Sequence, residues 1–157
     1  MDRTTCTVCA TEQHTMAAGE ALAARLRDRL AAGRGAVIAL HGDLGAGKTT
    51  FAKGVALGLG IHEAVTSPTY QLVLEYESAG DAPWPLTLYH IDLYRIDAPV
   101  QLASLALDDF IHGSGVTLVE WPERAGDTLP DDTIRVRIGI EDDMRRRIEI
   151  TEPGPPP

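Results

Sequence analysis

The feature that most constrains the fold of this chain is the octapeptide GDLGAGKT at residues 42–49. It matches the pattern G-x-x-x-x-G-K-[ST], the P-loop, in which glycines allow a wrapped backbone whose amides form a nest for phosphate groups. Such a loop needs a buried strand before it and a helix after it. Both are expected here, because residues 36–40 are a continuous apolar run and a helix is predicted over 48–59. We therefore interpret the octapeptide as a phosphate-binding loop.

Two residues of this loop have side-chain roles of their own. Lys48 is expected to contact the β- and γ-phosphates of a nucleotide, and the Thr49 hydroxyl is expected to bind Mg²⁺. ATP is the expected nucleotide, because GTPases read guanine with N-K-x-D and this chain contains no asparagine. Small-molecule kinases need an arginine-bearing lid, and residues 95–115 contain only Arg95 among lysines and arginines.

Helices and strands alternate along the rest of the chain. Leu22, Leu26 and Leu30 recur every four residues and predict an amphipathic helix over 16–32. The other predicted elements are a helix over 100–111 and strands over 71–76, 86–94, 116–119, 133–140 and 145–150. This alternation predicts an α/β domain built in layers.

The chain of 157 residues has about the length of one domain. We predict a loose N-terminus over 1–10, a P-loop ATPase domain over 11–150, and a disordered tail over 151–157, where prolines lack the amide donor. No apolar stretch is long enough to span a membrane, and the N-terminus lacks the pattern of a secretory signal. We therefore expect a cytoplasmic protein.

The net charge of −9 argues against direct binding of nucleic acid, which needs a basic surface to neutralise phosphates. The one basic run, at 145–147, follows acidic residues at 141–143. We interpret it as an exposed strand end of mixed charge, with a nucleotide or partner contact as the other reading. DNA binding is not expected, and contact with tRNA is expected only through a partner.

Cys6 and Cys9 form a C-x-x-C motif near the N-terminus. A structural zinc site needs four ligands, and no second cysteine pair or histidine pair follows. We therefore expect free thiols, with a zinc site as the less favoured reading.

Two carboxylates that follow buried strands are candidates for the second half of the site. A P-loop alone does not hydrolyse ATP, because Mg²⁺ needs a second anchor and the attacking water needs an orienting group. Asp92 follows the run 88–91, and Glu120 follows the run 116–119. Glu120 gives the cleaner Walker B pattern, so we assign it to Mg²⁺ through water and Asp92 to the attacking water or the outer shell of the metal. The reverse assignment stays open, as does a turn-capping role for either carboxylate.

Two further segments are candidates for contact with the γ-phosphate or a partner. Pro68 restricts Ser67 to extended conformations, so Ser67 and Thr69 are predicted to form a switch that orders on the γ-phosphate. A plain turn is the other reading. Trp121 follows Glu120 and is either a core residue or an exposed anchor for a partner. The residues alone favour the core role.

Four sequence blocks together resemble a known family. They are GDLGAGKTTF at 42–51, SPTY at 67–70, HIDLYR at 90–95 and VEWPE at 119–123. In this order and spacing they resemble the TsaE (YjeE) family, P-loop ATPases of bacterial tRNA threonylcarbamoyladenosine synthesis, over residues 11–150. The resemblance implies a P-loop NTPase-like three-layer domain with a mainly parallel central sheet and antiparallel additions. It also implies slow ATP hydrolysis by the protein alone, and association with TsaB and TsaD to modify the adenosine at position 37 of tRNAs that read codons beginning with A.

The resemblance adds roles for particular residues. Glu12 matches a family position near the adenine, and Arg147 is expected near the nucleotide. Thr49 and Glu120 are expected to hold Mg²⁺. Because the family works inside a complex, we predict that Trp121 is an exposed anchor for a partner. The full predicted nucleotide-binding set is Glu12, Asp43, Leu44, Gly45, Ala46, Gly47, Lys48, Thr49, Thr50 and Arg147. The predicted catalytic residues are Lys48, Asp92 and Glu120.

Three functions are compatible with these residues. The first is an ATP-hydrolysing subunit that drives or resets a TsaB–TsaD complex. The second is a small-molecule kinase, which the lack of a lid disfavours. The third is a binding module in which ATP only orders a surface for a partner. Phosphate release with and without the partner subunits distinguishes them.

Overall fold

The computed structural model describes residues 1–68, 71–82 and 84–154. The strands are β1 Arg3–Cys9, β2 Ala36–His41, β3 Val73–Glu77, β4 Thr87–Asp92, β5 Val116–Glu120, β6 Ile134–Ile140 and β7 Arg146–Glu152. The helices are α1 Glu12–Ala31, α2 Lys48–Gly58, α3 Pro99–Ser104 and α4 Asp108–Ile111, with a 3₁₀ segment at Pro122–Thr128. In these described ranges, no helix combines the length and apolar character needed to cross a bilayer.

One sheet contains all of these strands, in the order β1-β7-β6-β2-β5-β4-β3. Its centre is parallel, because β2 pairs in parallel with β5 and β6, and β4 pairs in parallel with β5. The outer pairs β3–β4, β6–β7 and β1–β7 are antiparallel. The predicted fold class, a mainly parallel sheet with antiparallel additions, is confirmed.

Helices pack on both faces of the parallel centre. On one face, α1 and α2 enclose the larger apolar core, which includes the three leucines of the predicted α1 stripe. These two helices approach closely at Gly54, where only glycine fits. A Cβ at this position would lie 1.9 Å from the Met16 carbonyl oxygen. On the other face, α3 and α4 cover a smaller apolar cluster. Every residue from Ala36 to Leu40 is buried, as the continuous apolar run predicts.

The first ten residues are not loose as predicted. Residues 3–9 form β1, which pairs with β7 over its whole length, from Arg3 opposite Glu152 to Cys9 opposite Arg146. Threonines and Val8 favour extended backbone, but the partner strand lies far away in the sequence. A local reading of the sequence therefore misses the pairing.

The predicted tail also begins too early. Thr151 and Glu152 belong to β7, and Arg25 of α1 donates from Nε to Glu152 Oε1 at 2.8 Å. The last three residues, 155–157, lie outside the described ranges.

Two predicted helix boundaries differ from the structure. The helix predicted over 100–111 is divided into α3 and α4, with Ala106 between them in a left-handed conformation at φ 49°. Helix α1 begins at Glu12, four residues earlier than predicted. Thr11 provides the N-cap, because its hydroxyl accepts a hydrogen bond from the His14 amide at 3.2 Å.

Candidate functional site

The predicted P-loop connects the end of β2 to the start of α2. Gly45 and Gly47 have left-handed backbone angles, φ 77° and φ 111°, which residues with a side chain rarely adopt. Gly47 is the N-cap of α2 and has no side chain to accept from the first amides of the helix. The loop therefore leaves backbone donors at the positive end of α2, which suits an anionic ligand.

A cleft of about 480 Å³ opens beside this loop. Residues from β1, α1, the P-loop, α2 and the carboxyl ends of β4 and β5 form its walls. The predicted site residues that line it are Glu12, Leu44, Gly45, Gly47, Lys48, Thr49, Thr50, Ser67, Asp92, Glu120 and Trp121. The structure therefore brings the two predicted halves of the site together in one cavity.

Three of the predicted residues that the structure describes, Asp43, Ala46 and Arg147, do not line this cleft. Ala46 is buried, and its amide donates to the Asp43 carbonyl at 3.0 Å, whereas Asp43 itself is exposed. Thr69 lies outside the described residues, so its predicted switch role stays a prediction.

Arg147, the predicted nucleotide contact, does not line the cleft, whereas its neighbour Arg146 does. Successive residues of a strand point to opposite faces, and β7 directs Arg146, not Arg147, into the cleft. Arg146 donates from Nε to the Ala46 carbonyl at 2.9 Å and from Nη2 to the Gly45 carbonyl at 3.3 Å. Arg147 instead pairs with Glu141 on the exposed side of the sheet. A prediction that is wrong by one residue in a strand thus places the side chain on the opposite face of the sheet.

Lys48, the first residue of α2, is buried although it carries a charge. Its Nζ donates to the Gly42 carbonyl at 2.6 Å. The same atom lies 4.3 Å from the centre of the Trp121 ring, within the range of a cation–π contact. The lysine is therefore held against its own loop by one carbonyl and one aromatic ring.

Asp92 and Glu120 lie directly opposite each other at the ends of the parallel strands β4 and β5. Glu120 is only 3% exposed, and Asp92 is half-buried. The Tyr94 amide donates to Asp92 Oδ1 at 2.8 Å, which orients that carboxylate. Two carboxylates at one sheet edge beside a buried lysine form an arrangement that a divalent cation would stabilise.

The pKa of Asp92 is raised, chiefly because burial penalises the charged form. The neighbouring Glu120 carboxylate raises the pKa further, whereas the Tyr94 amide, His90 and Lys48 lower it. A nearby cation would remove part of this cost, because an opposite charge favours the ionised carboxylate.

His90 lies in the block at 90–95 but was not predicted to be a site residue. Its side chain is fully buried, and its Nε2 lies 3.3 Å from Glu120 Oε2. The sequence spacing contains a clue to its position. His90 and Asp92 are two residues apart on a strand, so their side chains share one face of β4.

Trp121 is neither a full core residue nor a fully exposed anchor. It is partly buried against the smaller apolar cluster, and its ring lies 5.0 Å from the ring of Tyr94. Its backbone is left-handed, at φ 55° and ψ 49°, a strained conformation for a bulky residue. The partner-facing role stays a prediction.

The two cysteines do not face each other. They are three residues apart on β1, so their side chains lie on opposite faces of the sheet. Cys6 is exposed, whereas Cys9 is buried, lines the cleft, and has its pKa raised by that burial. Both are unbonded thiols.

A parallel sheet with a P-loop between a buried central strand and a helix, and with carboxylates at the ends of adjacent strands, defines the P-loop NTPase-like class. Within that class, a family profile described as threonylcarbamoyl adenosine biosynthesis protein TsaE matches residues 9–148. The chain belongs to this family, which takes part in tRNA threonylcarbamoyladenosine biosynthesis, and the predicted resemblance is confirmed.

Individual relatives agree with this assignment. The TsaE protein of Bacillus subtilis is 43% identical over 76% of this chain and 72% of its own length. The TsaE protein of Rickettsia bellii is 32% identical over 92% of this chain and 93% of its own length. The crystal structure of YdiB from Bacillus subtilis matches with a TM-score of 0.76 at 35% identity, covering 98% of this chain and 88% of that one.

Proposed function

We propose that this protein is a Mg²⁺-dependent ATP-binding and ATP-hydrolysing subunit in the synthesis of tRNA threonylcarbamoyladenosine. The observation that carries the proposal is the cleft in which the P-loop faces two adjacent carboxylates, Glu120 buried and Asp92 half-buried. Phosphate-binding amides alone would suit any anion. The added carboxylates point to a cation beside the phosphates, which is the arrangement that phosphoryl transfer needs.

The residues of the cleft fit a nucleotide with Mg²⁺. Gly45 and Gly47 supply the backbone curvature, and Lys48 supplies the positive charge for the β- and γ-phosphates. Thr49 and Glu120 are the residues that would hold Mg²⁺, Glu120 through a water molecule. Glu120 is only 3% exposed, and a cation beside it would offset the cost of burying its charge. Bound Mg²⁺ would neutralise charge that develops on the phosphates.

Lys48 and Asp92 then have separate roles in the proposed reaction. Lys48 exchanges its Gly42 carbonyl for phosphate oxygens, because a charged partner gives a stronger hydrogen bond than a neutral one. Asp92, held by the Tyr94 amide, accepts a hydrogen bond from the attacking water and orients it.

Hydrolysis is proposed to act on TsaB- and TsaD-like partners in the cytoplasm, with tRNA contacted only through them. A second cleft of about 530 Å³, largely apolar, shares Asp92 and Trp121 with the first. Exposed Leu44 and Tyr94 lie at its mouth. An apolar surface beside the γ-phosphate end of the site suits a partner that reads the nucleotide state.

The same apolar cleft supports a second candidate function. A small acceptor bound there would lie next to Asp92, as a phosphotransferase requires. The third candidate, a nucleotide-gated binding module, needs the first cleft but no hydrolysis.

The test is release of inorganic phosphate from ATP by the full chain, alone and with TsaB and TsaD, with Mg²⁺ or with EDTA. Stimulation by the partners in Mg²⁺ supports the proposed function. Transfer of the γ-phosphate to one member of a small-molecule panel supports the kinase. Tight ATP binding with no release under any condition supports the binding module, and no ATP binding overturns all three.

A further inference from the structure

His90 lies on β4, next to the edge strand of the sheet, between Leu74 of β3 and Leu118 of β5. It is fully buried, and within the described ranges neither ring nitrogen has a hydrogen-bond partner. Its Nε2 lies 3.3 Å from Oε2 of Glu120. That oxygen is also buried and has no hydrogen bond to any described residue. Two buried polar atoms without other partners therefore face each other.

Packing alone does not account for a histidine at this position. Leu88 lies two residues earlier on the same face of β4, and both it and Leu118 are fully buried. A buried imidazole without a hydrogen bond is less favourable than a leucine in such surroundings. An interaction with the Glu120 carboxylate explains the histidine better than side-chain volume does.

We propose that His90 is a positioning residue for Glu120. Its Nε2–H donates to Oε2, the separation of 3.3 Å closing toward the roughly 2.7–2.9 Å of a charge-assisted hydrogen bond. Glu120 lines the cleft, so an inward-held Oε2 turns Oε1 toward the cleft and the expected Mg²⁺-bound water. The inference rests on the proposed function of Glu120 in holding Mg²⁺. Outer-sphere hydrogen bonds commonly fix metal-binding carboxylates in this way.

The hydrogen bond itself is tested in the nucleotide-free protein. The full chain is labelled with ¹⁵N-histidine, and the His90 ring signals are assigned by their loss in His90→Leu or, where that variant does not fold, in His90→Gln. We expect a protonated Nε2 whose proton resonates downfield and moves in Glu120→Gln. A ring protonated only at Nδ1, with no response to Glu120→Gln, would overturn the proposal.

The consequence for the cation is tested with three variants. His90→Leu keeps the volume without a donor, and His90→Gln restores an amide N–H at about the reach of Nε2. Leu88→Ala perturbs the same strand and face without touching Glu120. The measurement is the affinity for a fluorescent ATP analogue in EDTA and over a Mg²⁺ titration.

We expect His90→Leu to bind the nucleotide in EDTA with the wild-type affinity. The Mg²⁺ concentration at which the Mg²⁺-dependent change in affinity saturates should rise on the order of tenfold. His90→Gln should recover most of that loss, and Leu88→Ala should keep the wild-type Mg²⁺ dependence. Equal Mg²⁺ dependence in wild type, His90→Leu and His90→Gln would overturn the proposal. A loss shared by His90→Leu and Leu88→Ala would also overturn it, because the effect would then be general destabilisation.

Failure of the proposed function gives a different result. In that case the wild type itself shows no Mg²⁺-dependent binding, while the ¹⁵N measurement still decides whether His90 and Glu120 form the hydrogen bond. A bond without Mg²⁺ dependence would overturn the positioning role for a cation and the proposed function together. Mg²⁺-dependent binding without the bond would overturn the positioning role alone.

Discussion

The two sides of the cleft are built in different ways. The P-loop side presents mainly backbone, with Gly45 and Gly47 in left-handed conformations and Lys48 as its one cationic side chain. The opposite side presents side chains from two adjacent parallel strands, Asp92 and Glu120. The loop side is therefore defined by its backbone conformation, and the strand side is defined by the negative charge of two carboxylates.

This difference separates binding from chemistry. Backbone amides at a helix N-terminus hold phosphates in the ground state and remain when a side chain is removed. In the proposed function the two carboxylates act on the metal and the attacking water, whose contribution is largest in the transition state. Substitutions on the strand side should thus affect turnover more than affinity, and substitutions on the loop side should affect affinity first.

The largest effect is expected on the strand side. Glu120→Gln and Asp92→Asn should each lower the rate of ATP hydrolysis by roughly 10²–10³-fold, because the metal or the water loses its anchor. Affinity for ATP should fall far less, since the loop amides and Lys48 still hold the phosphates. The measurements are steady-state phosphate release in the presence of the partners and equilibrium binding of a fluorescent ATP analogue.

Asp109→Asn is the matched control, because Asp109 is exposed on α4 and does not line the cleft. It should behave like the wild type in both measurements. Wild-type turnover in both Glu120→Gln and Asp92→Asn would show that the chemistry does not use this side of the cleft.

On the loop side, Lys48→Ala should weaken ATP binding by roughly 10–100-fold, the range expected for a hydrogen bond to a charged group. The fold should stay intact, because the lysine contacts only its own loop and Trp121 among the interactions described above. Lys53→Ala, an exposed lysine on α2, is the control for the loss of one positive charge. Unchanged ATP affinity in Lys48→Ala would show that the P-loop is not part of the ATP-binding site.

The sequence predicted the loop side well, because its information is local. The octapeptide with its flanking apolar run and helix is contiguous, and Gly45 and Gly47 are required by left-handed backbone angles. Glu120 and Asp92 were found because both follow buried strands. Their direct juxtaposition follows from parallel pairing of β4 with β5, which no local pattern encodes.

The parts that were missed depend on pairing between distant segments. Strand β1 needs β7 as its partner, and the choice between Arg146 and Arg147 needs the register of β7 against β6. His90 needs β4 beside β5 before its contact with Glu120 exists. A single sequence specifies these contacts only through the complete fold.

Trp121 connects the two sides, because it follows Glu120 in the chain and its ring covers Lys48. Trp121→Ala should stay folded and bind ATP, but its affinity for the TsaB–TsaD pair should fall by about 2 kcal/mol, or roughly 30-fold. Trp84→Ala, the other tryptophan of the chain, is the control. The measurements are thermal unfolding and calorimetric titration with the partners. A melting temperature many degrees below that of the wild type, or unaltered partner affinity, would contradict the partner-facing role.

The smallest effect concerns two neighbouring arginines. Arg146 donates to the carbonyls of Gly45 and Ala46 and so braces the P-loop from β7, whereas Arg147 lies on the opposite face. Arg146→Ala should therefore weaken binding of a fluorescent ADP analogue by a few-fold, in the range of about 1 kcal/mol for an ordinary hydrogen bond. Arg147→Ala removes the same charge one residue away and should leave that affinity unchanged, which makes it the matched control. A larger loss in Arg147→Ala than in Arg146→Ala would restore the nucleotide contact that the family resemblance implies for Arg147 and would contradict the register of β7.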